Sequence, residues 1–190
     1  MEAVAPQRPA LERRTFGLVI FLAAESMTFA GLISAHIILR PGQTAWPPPD
    51  QPRLPVGMTA VATAFLLLSA WTALRALRGA ERDAGSERPW LGVTWVLGAL
   101  FLGVQGFEWI GLIGHGLTMT SSVSGALFYT VIGFHALHVA IGMCVLTVTV
   151  AKALAGRYTP SEHSGVRLCA VYWWYVVLVW PPLYVLVYLI

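Results

Sequence analysis

Long apolar stretches alternate along the chain with short polar or proline-rich segments. Five stretches are almost free of charged residues, and each has about the 20 residues that a helix needs to cross the ~30 Å hydrocarbon layer of a bilayer. They lie at residues 16–39, 55–77, 90–113, 123–151 and 168–190. The pattern predicts an all-α, polytopic membrane protein that forms a bundle of five transmembrane helices.

The segments between these spans are polar or rich in proline. They are proline-rich at residues 41–55, charged at 79–89, short and uncharged at 114–122, and polar at 152–167. No internal sequence repeat is evident among the spans and the segments between them. We therefore expect a cytoplasmic tail at residues 1–15, followed by a single membrane domain at residues 16–190.

Positive charges are distributed unevenly among the polar segments. Ten of the 12 lysine and arginine residues fall in the amino-terminal tail, the second loop and the fourth loop: Arg8, Arg13, Arg14, Arg75, Arg78, Arg82, Arg88, Lys152, Arg157 and Arg167. The first loop holds the other two, Arg40 and Arg53. Because basic residues accumulate in cytoplasmic loops, this bias predicts an amino terminus inside and a carboxyl terminus outside.

Composition supports the membrane interpretation. Hydrophobic residues make up 57% of the chain and charged residues 11%, whereas charged residues make up about a quarter of an ordinary globular protein. The mean hydropathy is +0.69. These values exclude a soluble enzyme, a disordered region and a disulfide scaffold. We assign the net charge of +3 to cytoplasmic loops, and we expect no nucleic-acid partner.

Four ionisable side chains lie well inside the predicted spans, where a charge is costly and a functional role is the first hypothesis. They are Glu25, Glu108, His135 and His138. At a rise of ~1.5 Å per residue, Glu25 lies about 14 Å from the inner side. The antiparallel fourth span brings the two histidines to about 7–12 Å from that side. We therefore expect Glu25 and both histidines at similar levels in the inner half of the membrane.

Glu25 has no neighbour along the chain that would neutralise it. Desolvation favours the protonated acid at such a position. Three interpretations stay open for it: a proton-linked site, a polar anchor for a lipid or a partner helix, and a neutral acid hydrogen-bonded between helices.

A second polar group is predicted near the outer surface. Gln105, Glu108 and His115 are spaced at i, i+3 and i+10 along the third span. Glu108 lies about 26 Å from the inner side. We interpret these three residues as an outer polar stripe, with His36 at the outer end of the first span.

His135 and His138 lie one helical turn apart and point to the same helix face. Imidazole is a common metal ligand, but no third ligand lies close by, and a haem held by two histidines needs them on different helices. We favour hydrogen-bonded histidines in a helix interface or lipid groove. We expect no metal or haem in this chain, and, without a convincing nucleophile–base constellation, no catalytic residue.

Five motifs, in order along the chain, resemble those of subunit III of haem-copper terminal oxidases. The most specific lies at residues 128–142, FYTVIGFHALHVAIG, and carries both histidines. The others are AESMTFAG around Glu25, the outer-loop segment Trp46-Pro47-Pro48, the segment Gln105 to Trp109, and the closing helix with Tyr172, Trp173, Trp180 and Tyr184. The resemblance covers nearly the whole chain from residue 16, in a shorter form that lacks the first two of seven helices.

The closing helix departs from the family pattern. The family usually has a histidine where this chain has Trp174, and an aspartate where it has Val177. Pro181 and Pro182 follow Trp180. A polar contact made by that histidine and aspartate is therefore either absent here or made by other residues.

The resemblance implies a non-catalytic subunit of a respiratory haem-copper oxidase, taking electrons from cytochrome c or quinol, in a bacterial inner (cytoplasmic) membrane. Subunit III stabilises the catalytic subunit, holds phospholipids in a cleft and supports proton uptake during oxygen reduction. The partners would be subunits I and II, which carry the haem and copper. Carried over by position, Glu25 is the buried acid near the lipid cleft, and His135, His138 and Glu108 are polar signature residues.

Three alternatives stay open. The altered closing helix is compatible with the related accessory subunit of a nitric oxide reductase-type complex. A stand-alone proton-coupled transporter using Glu25 is a second, although transporters usually show repeats or broken helices. A membrane cytochrome is the third, and the depths of the histidines disfavour it.

Overall fold

Five long helices and one π-helical turn make up most of residues 8–40, 52 and 54–190, which this computed structural model describes. They are α1 (Arg8–Leu39), α2 (Val56–Arg82), α3 (Arg88–Gly114), α4 (Val123–Leu154), α5 (Ser164–Tyr184) and the π-helical turn Val185–Leu189. The described residues contain no strand, only an isolated bridge between Thr159 and Glu162. The all-α prediction is confirmed for them, whereas the Trp46-Pro47-Pro48 motif and Arg53 lie outside them.

All five helices are long and apolar enough to cross a membrane, as the hydropathy pattern predicts. Several helices extend beyond the predicted spans: α1 begins at Arg8 and α2 continues to Arg82. Hydropathy marks where contact with lipid should end, but arginine is a good helix former, so backbone hydrogen bonding continues into the charged ends. The sides on which the termini lie, and the division into a tail and one domain, stay predictions.

α5 is the central element of the bundle, with α2 on one side and α4 on the other, while α2 also packs along α3. Trp173 and Trp180 of α5 are fully buried. The indole nitrogen of Trp173 donates to Ser69 Oγ at 2.9 Å, and that of Trp180 donates to Thr63 Oγ1 at 2.8 Å. Each large ring therefore fills the core while its polar atom is satisfied by α2.

Two glycines let the neighbouring helices approach Trp173 closely. A Cβ atom at Gly98 of α3 would lie 2.8 Å from the Trp173 ring and 2.7 Å from Met143 Sδ. A Cβ atom at Gly142 of α4 would lie 3.0 Å from the same ring. Small residues at such contacts allow van der Waals packing between helices in lipid.

α1 lies at the edge of the bundle. It packs against α4 and α5, and large apolar side chains along its length are exposed, among them Phe16, Ile20, Met27 and Ile38. Since lipid tails or other apolar helices cover such surfaces in a membrane, α1 presents a broad face to whatever surrounds the bundle.

Candidate functional site

Glu25 of α1 and His138 of α4 meet between the two helices. Glu25 Oε2 lies 3.1 Å from His138 Nε2. The side chain of His138 is 6% exposed and that of Glu25 is 21% exposed. The structure thus brings together the acid and one of the two histidines that the depth estimate places at the same level.

The other ring nitrogen of His138 decides how this pair holds its proton. Nδ1 lies 2.8 Å from the carbonyl oxygen of Phe134, which only accepts, so Nδ1 carries a hydrogen. Nε2 then either accepts a proton from neutral Glu25 or, as part of an imidazolium, donates one to the carboxylate. In both states the pair has no net charge. One proton can therefore sit on either residue without leaving a net charge in the membrane.

Aromatic rings cover His138 on its protein side. Phe29 and Phe134 have ring centroids 5.2 Å and 4.7 Å from the imidazole, and Tyr172 donates to the carbonyl oxygen of His138 at 3.2 Å. Glu25 is more exposed than His138, so the carboxyl group is the more accessible end of the pair.

His135 does not join this pair. Its ring stacks on Trp180 with centroids 4.9 Å apart, and Phe29 and Phe101 approach it edge-on at 6.3 Å. Neither ring nitrogen has a hydrogen-bond partner among the residues described. The interpretation of both histidines as hydrogen-bonded therefore fits His138 but not His135, because the two rings contact different neighbours despite their shared helix.

No metal site emerges from these side chains. Within residues 13–40, 52 and 54–190, whose side chains the structure describes, no three His, Cys, Asp or Glu residues lie close enough together to hold a metal ion. The two histidines share α4, and His138 already contacts Glu25 and a backbone carbonyl. The arrangement therefore does not present two facing imidazoles of the kind that a haem iron would need.

A second polar cluster joins α2, α3 and the π-helical turn. The carboxyl group of Glu108 lies 2.9 Å and 3.0 Å from Thr59 Oγ1. Gln105 Nε2 donates to Glu108 Oε2 at 3.1 Å and lies 3.2 Å from the hydroxyl of Tyr188. All four residues are buried, and we call them the outer polar cluster.

The hydrogen bonds of Thr59 indicate whether the carboxyl group of Glu108 is protonated. The Thr59 hydroxyl has one hydrogen and lies 3.0 Å from the carbonyl oxygen of Pro55, which only accepts. If Thr59 donates to Pro55, its contact with Glu108 needs a hydrogen on the carboxyl group. A protonated Glu108 satisfies both contacts and leaves no charge in the cluster.

His115 stands apart from the predicted outer stripe. It follows the last residue of α3, is exposed, and places Nδ1 2.7 Å from the carbonyl oxygen of Gly111. α3 ends at Gly114, so a spacing that assumes an uninterrupted helix does not bring His115 to Gln105 and Glu108. Thr59 and Tyr188 take part instead, and no local sequence signal indicates either of them.

A buried acid also lies in the charged loop before α3. The side chain of Glu87 is fully buried, and its Oε2 accepts from the backbone N–H of Gly85 at 2.9 Å. Its Oε1 has no partner among the described residues. Tyr158, beyond the end of α4, is also buried; burial, with a smaller contribution from the charge of Glu87, raises the pKa of Tyr158.

The two altered positions of the closing helix have different surroundings. Trp174 donates its indole N–H to the carbonyl oxygen of Ala70 at 2.9 Å, which ties α5 to α2. Val177 is buried in the apolar core. Trp174 therefore makes a polar contact to backbone, while Val177 makes only apolar packing contacts.

Comparison with known proteins connects these features to one family. A family model for cytochrome c oxidase subunit III matches residues 9–190. The chain is 35% identical over 181 residues to cytochrome c oxidase subunit 3 of Synechocystis sp., covering 93% of this chain and 76% of that protein. Identity to the Corynebacterium diphtheriae protein of the same name is 34% over 197 residues, covering 100% and 96%. The Thermostichus vulcanus protein is 33% identical over 179 residues, covering 93% and 87%.

Proposed function

The chain belongs to the cytochrome c oxidase subunit III family, the non-catalytic subunit of haem-copper oxidases of the respiratory chain, and from this premise we propose that its Glu25–His138 pair supports proton uptake by the catalytic subunit. The family's subunit has in general no metal centre of its own. We infer that haem and copper lie in partner subunits I and II, in a bacterial inner membrane. A stand-alone transporter is no longer needed to explain the buried acid.

The contact between Glu25 and His138 carries this proposal. The pair is held between two spanning helices, with one member shielded by aromatic rings and the other more exposed. Because the proton can move between Oε2 and Nε2 without creating net charge, the pair holds it at low electrostatic cost. A water or carboxylate of the partner that reaches Glu25 would complete an exchange path.

The exposed face of α1 supports the partner assignment. Exposed apolar side chains of α1 flank Glu25, and the helix packs mainly against α4 and α5. We infer that phospholipids and subunit I cover this face. With the amino terminus inside, as the distribution of arginines favours, the pair lies nearer the cytoplasmic side, from which an oxidase takes up protons.

Glu25→Gln in the intact complex tests the proposal. We expect the variant to assemble normally, since glutamine keeps the shape and can still hydrogen-bond His138, but to lose sustained turnover or proton uptake over many cycles. The matched control is Glu162→Gln, which removes an exposed acid in the loop after α4. Unchanged turnover and proton uptake in Glu25→Gln would overturn the role of the pair.

The identity of the partner distinguishes an oxidase from a nitric oxide reductase-type complex, which the loss of the family's acid at Val177 keeps as the second candidate. Mild-detergent purification of this chain should recover a haem-copper subunit that reduces oxygen. Recovery of a complex that reduces nitric oxide but not oxygen would favour the second candidate.

A further inference from the structure

Arg75, near the loop end of α2, lies against two tryptophans. Its guanidinium carbon is 4.8 Å from the ring centroid of Trp71 and 5.6 Å from that of Trp90, at the start of α3. The two indoles are themselves 5.5 Å apart and nearly perpendicular. Cation–π contact with two rings restrains a side chain that is otherwise flexible. The guanidinium group is thus positioned while it remains exposed.

Arg75 is one of three basic residues on the same helix face. Arg75, Arg78 and Arg82 follow one another at i, i+3 and i+7, and all are exposed. None of them has an ion pair or side-chain hydrogen bond with any residue that the structure describes. The nearest acid along the helix, Glu81, pairs with Arg167 of α5 at 3.2 Å. We call these three arginines, together with Trp71 and Trp90, the basic face of α2.

The same face becomes apolar toward the middle of the membrane. Leu68 and Val61 precede Arg75 by seven and fourteen residues, and are 48% and 54% exposed. At ~1.5 Å per residue, they continue the surface for about 20 Å below the guanidinium group. From the middle of the membrane toward the loop, the face therefore presents apolar side chains, then an indole, then arginines that form no ion pair with the described residues. A phospholipid presents its acyl chains, glycerol region and phosphate in the same order.

We propose that the basic face of α2 binds an anionic phospholipid, with its phosphate at Arg75 and Arg78 and its acyl chains along Leu68 and Val61. Basic residues beside a spanning helix attract anionic lipid, and arginine donates well to phosphate oxygens. An acidic protein segment would also suit the arginines, but the long apolar continuation of the face fits an amphiphile better. The site lies in the leaflet nearest the α2–α3 loop and is independent of the Glu25–His138 pair.

Lipid titration of the full-length chain, followed by native mass spectrometry, tests this proposal. Phosphatidylglycerol is the anionic probe and phosphatidylcholine the zwitterionic one. We expect tighter binding of phosphatidylglycerol, and a loss of about fivefold in its affinity in Arg75→Gln, as removal of one basic side chain at a membrane surface predicts. Arg78→Gln should produce a similar loss, which provides a second test if Arg75→Gln does not fold.

Arg157→Gln is the matched control, because Arg157 is exposed in the loop after α4 and makes no cation–π contact with the aromatic rings that the structure describes. It should bind phosphatidylglycerol as the original chain does. Inorganic phosphate at the same concentration should not displace the lipid; displacement would indicate a simple anion site and overturn the assignment. Equal binding of both lipids, or wild-type affinity in both arginine variants, would also overturn it. If Arg75→Gln instead released another subunit from the intact complex, the face would be a protein interface.

Discussion

The imidazole of His135 on α4 lies nearly flat against the indole of Trp180 on α5, with 4.9 Å between ring centroids and 29° between the ring planes. Both side chains are fully buried, and neither His135 nitrogen has a hydrogen-bond partner among the described residues. A buried polar group without a partner costs about 1–3 kcal/mol. His135 therefore contributes to the core through the stacking of its flat ring, not through hydrogen bonds.

This relationship predicts that His135→Phe is tolerated. Phenylalanine keeps a flat ring against Trp180 and removes two unsatisfied nitrogens, so the midpoint of thermal unfolding should be unchanged or higher. Trp180→Ala, by contrast, should cost about 3–5 kcal/mol by leaving a cavity. A large drop in midpoint for His135→Phe would indicate that a polar group satisfies His135 in the membrane.

The Glu25–His138 contact predicts energetic coupling between the two side chains. A double-mutant cycle with Glu25→Ala and His138→Phe, each of which removes the contact, should give a coupling free energy of about 0.5–2 kcal/mol, the range measured for polar contacts between membrane helices. The measurement is unfolding of the purified chain in detergent. Additive effects of the two substitutions would mean that the contact contributes nothing to stability.

The outer polar cluster predicts that Glu108 is held as a neutral acid. Glu108→Gln should therefore change stability by less than about 1 kcal/mol, because the amide keeps the shape and can donate to Thr59. Glu108→Leu should cost more, since Gln105 then loses an acceptor. If both variants were equally destabilised, the cluster would depend on a carboxylate charge instead of on hydrogen bonding.

The packing at Trp173 predicts that alanine is tolerated differently at two glycines of the same helix. Gly98→Ala should destabilise the chain by roughly 1–3 kcal/mol, because the new methyl group would overlap Trp173 and Met143. Gly103→Ala is the control, since nothing lies within 4 Å of its Cβ position. Thermal midpoints should separate the two, and equal midpoints would contradict the close approach of α3 to Trp173.

Tyr158 predicts a loss of stability at alkaline pH. Burial raises its pKa above the ordinary value, so the folded state favours the neutral phenol. This contribution to stability is complete below the unfolded-state pKa near 10 and is lost as the pH rises through the folded-state value. When the pH is raised from neutral to above about 10, the free energy of unfolding should therefore fall less in Tyr158→Phe than in the original chain. Parallel curves for the two proteins would refute the assignment.

The sequence predicts the five helices well because their apolar length is set by the thickness of the bilayer. It also brings Glu25 to the level of His138, since the helical rise converts residue number into depth. It does not predict that His135 and His138 face different neighbours, because side-chain surroundings depend on which helices pack beside α4. For the same reason Tyr188 and Thr59 are absent from the predicted outer stripe.

Glu87 illustrates a different gap between sequence and structure. A glutamate in a charged loop is ordinarily solvated, and nothing in its immediate sequence indicates burial. The turn at Gly85 and the contacts of α3 with α2 enclose it instead. Burial of this kind arises from how helix ends meet, which neither hydropathy nor helical spacing describes.

The placement of Tyr188 has a practical consequence for handling the protein. The hydroxyl of Tyr188 contacts Gln105 Nε2. Tyr188 lies in the π-helical turn that follows Tyr184, and both Val187 and Tyr188 of this turn are buried. Shortening the chain before residue 188, or fusing a bulky tag directly to the last helical turn, would expose the amide of Gln105 and the acid beside it. Affinity handles are therefore better attached at the opposite terminus, or through a spacer long enough to leave this anchor undisturbed.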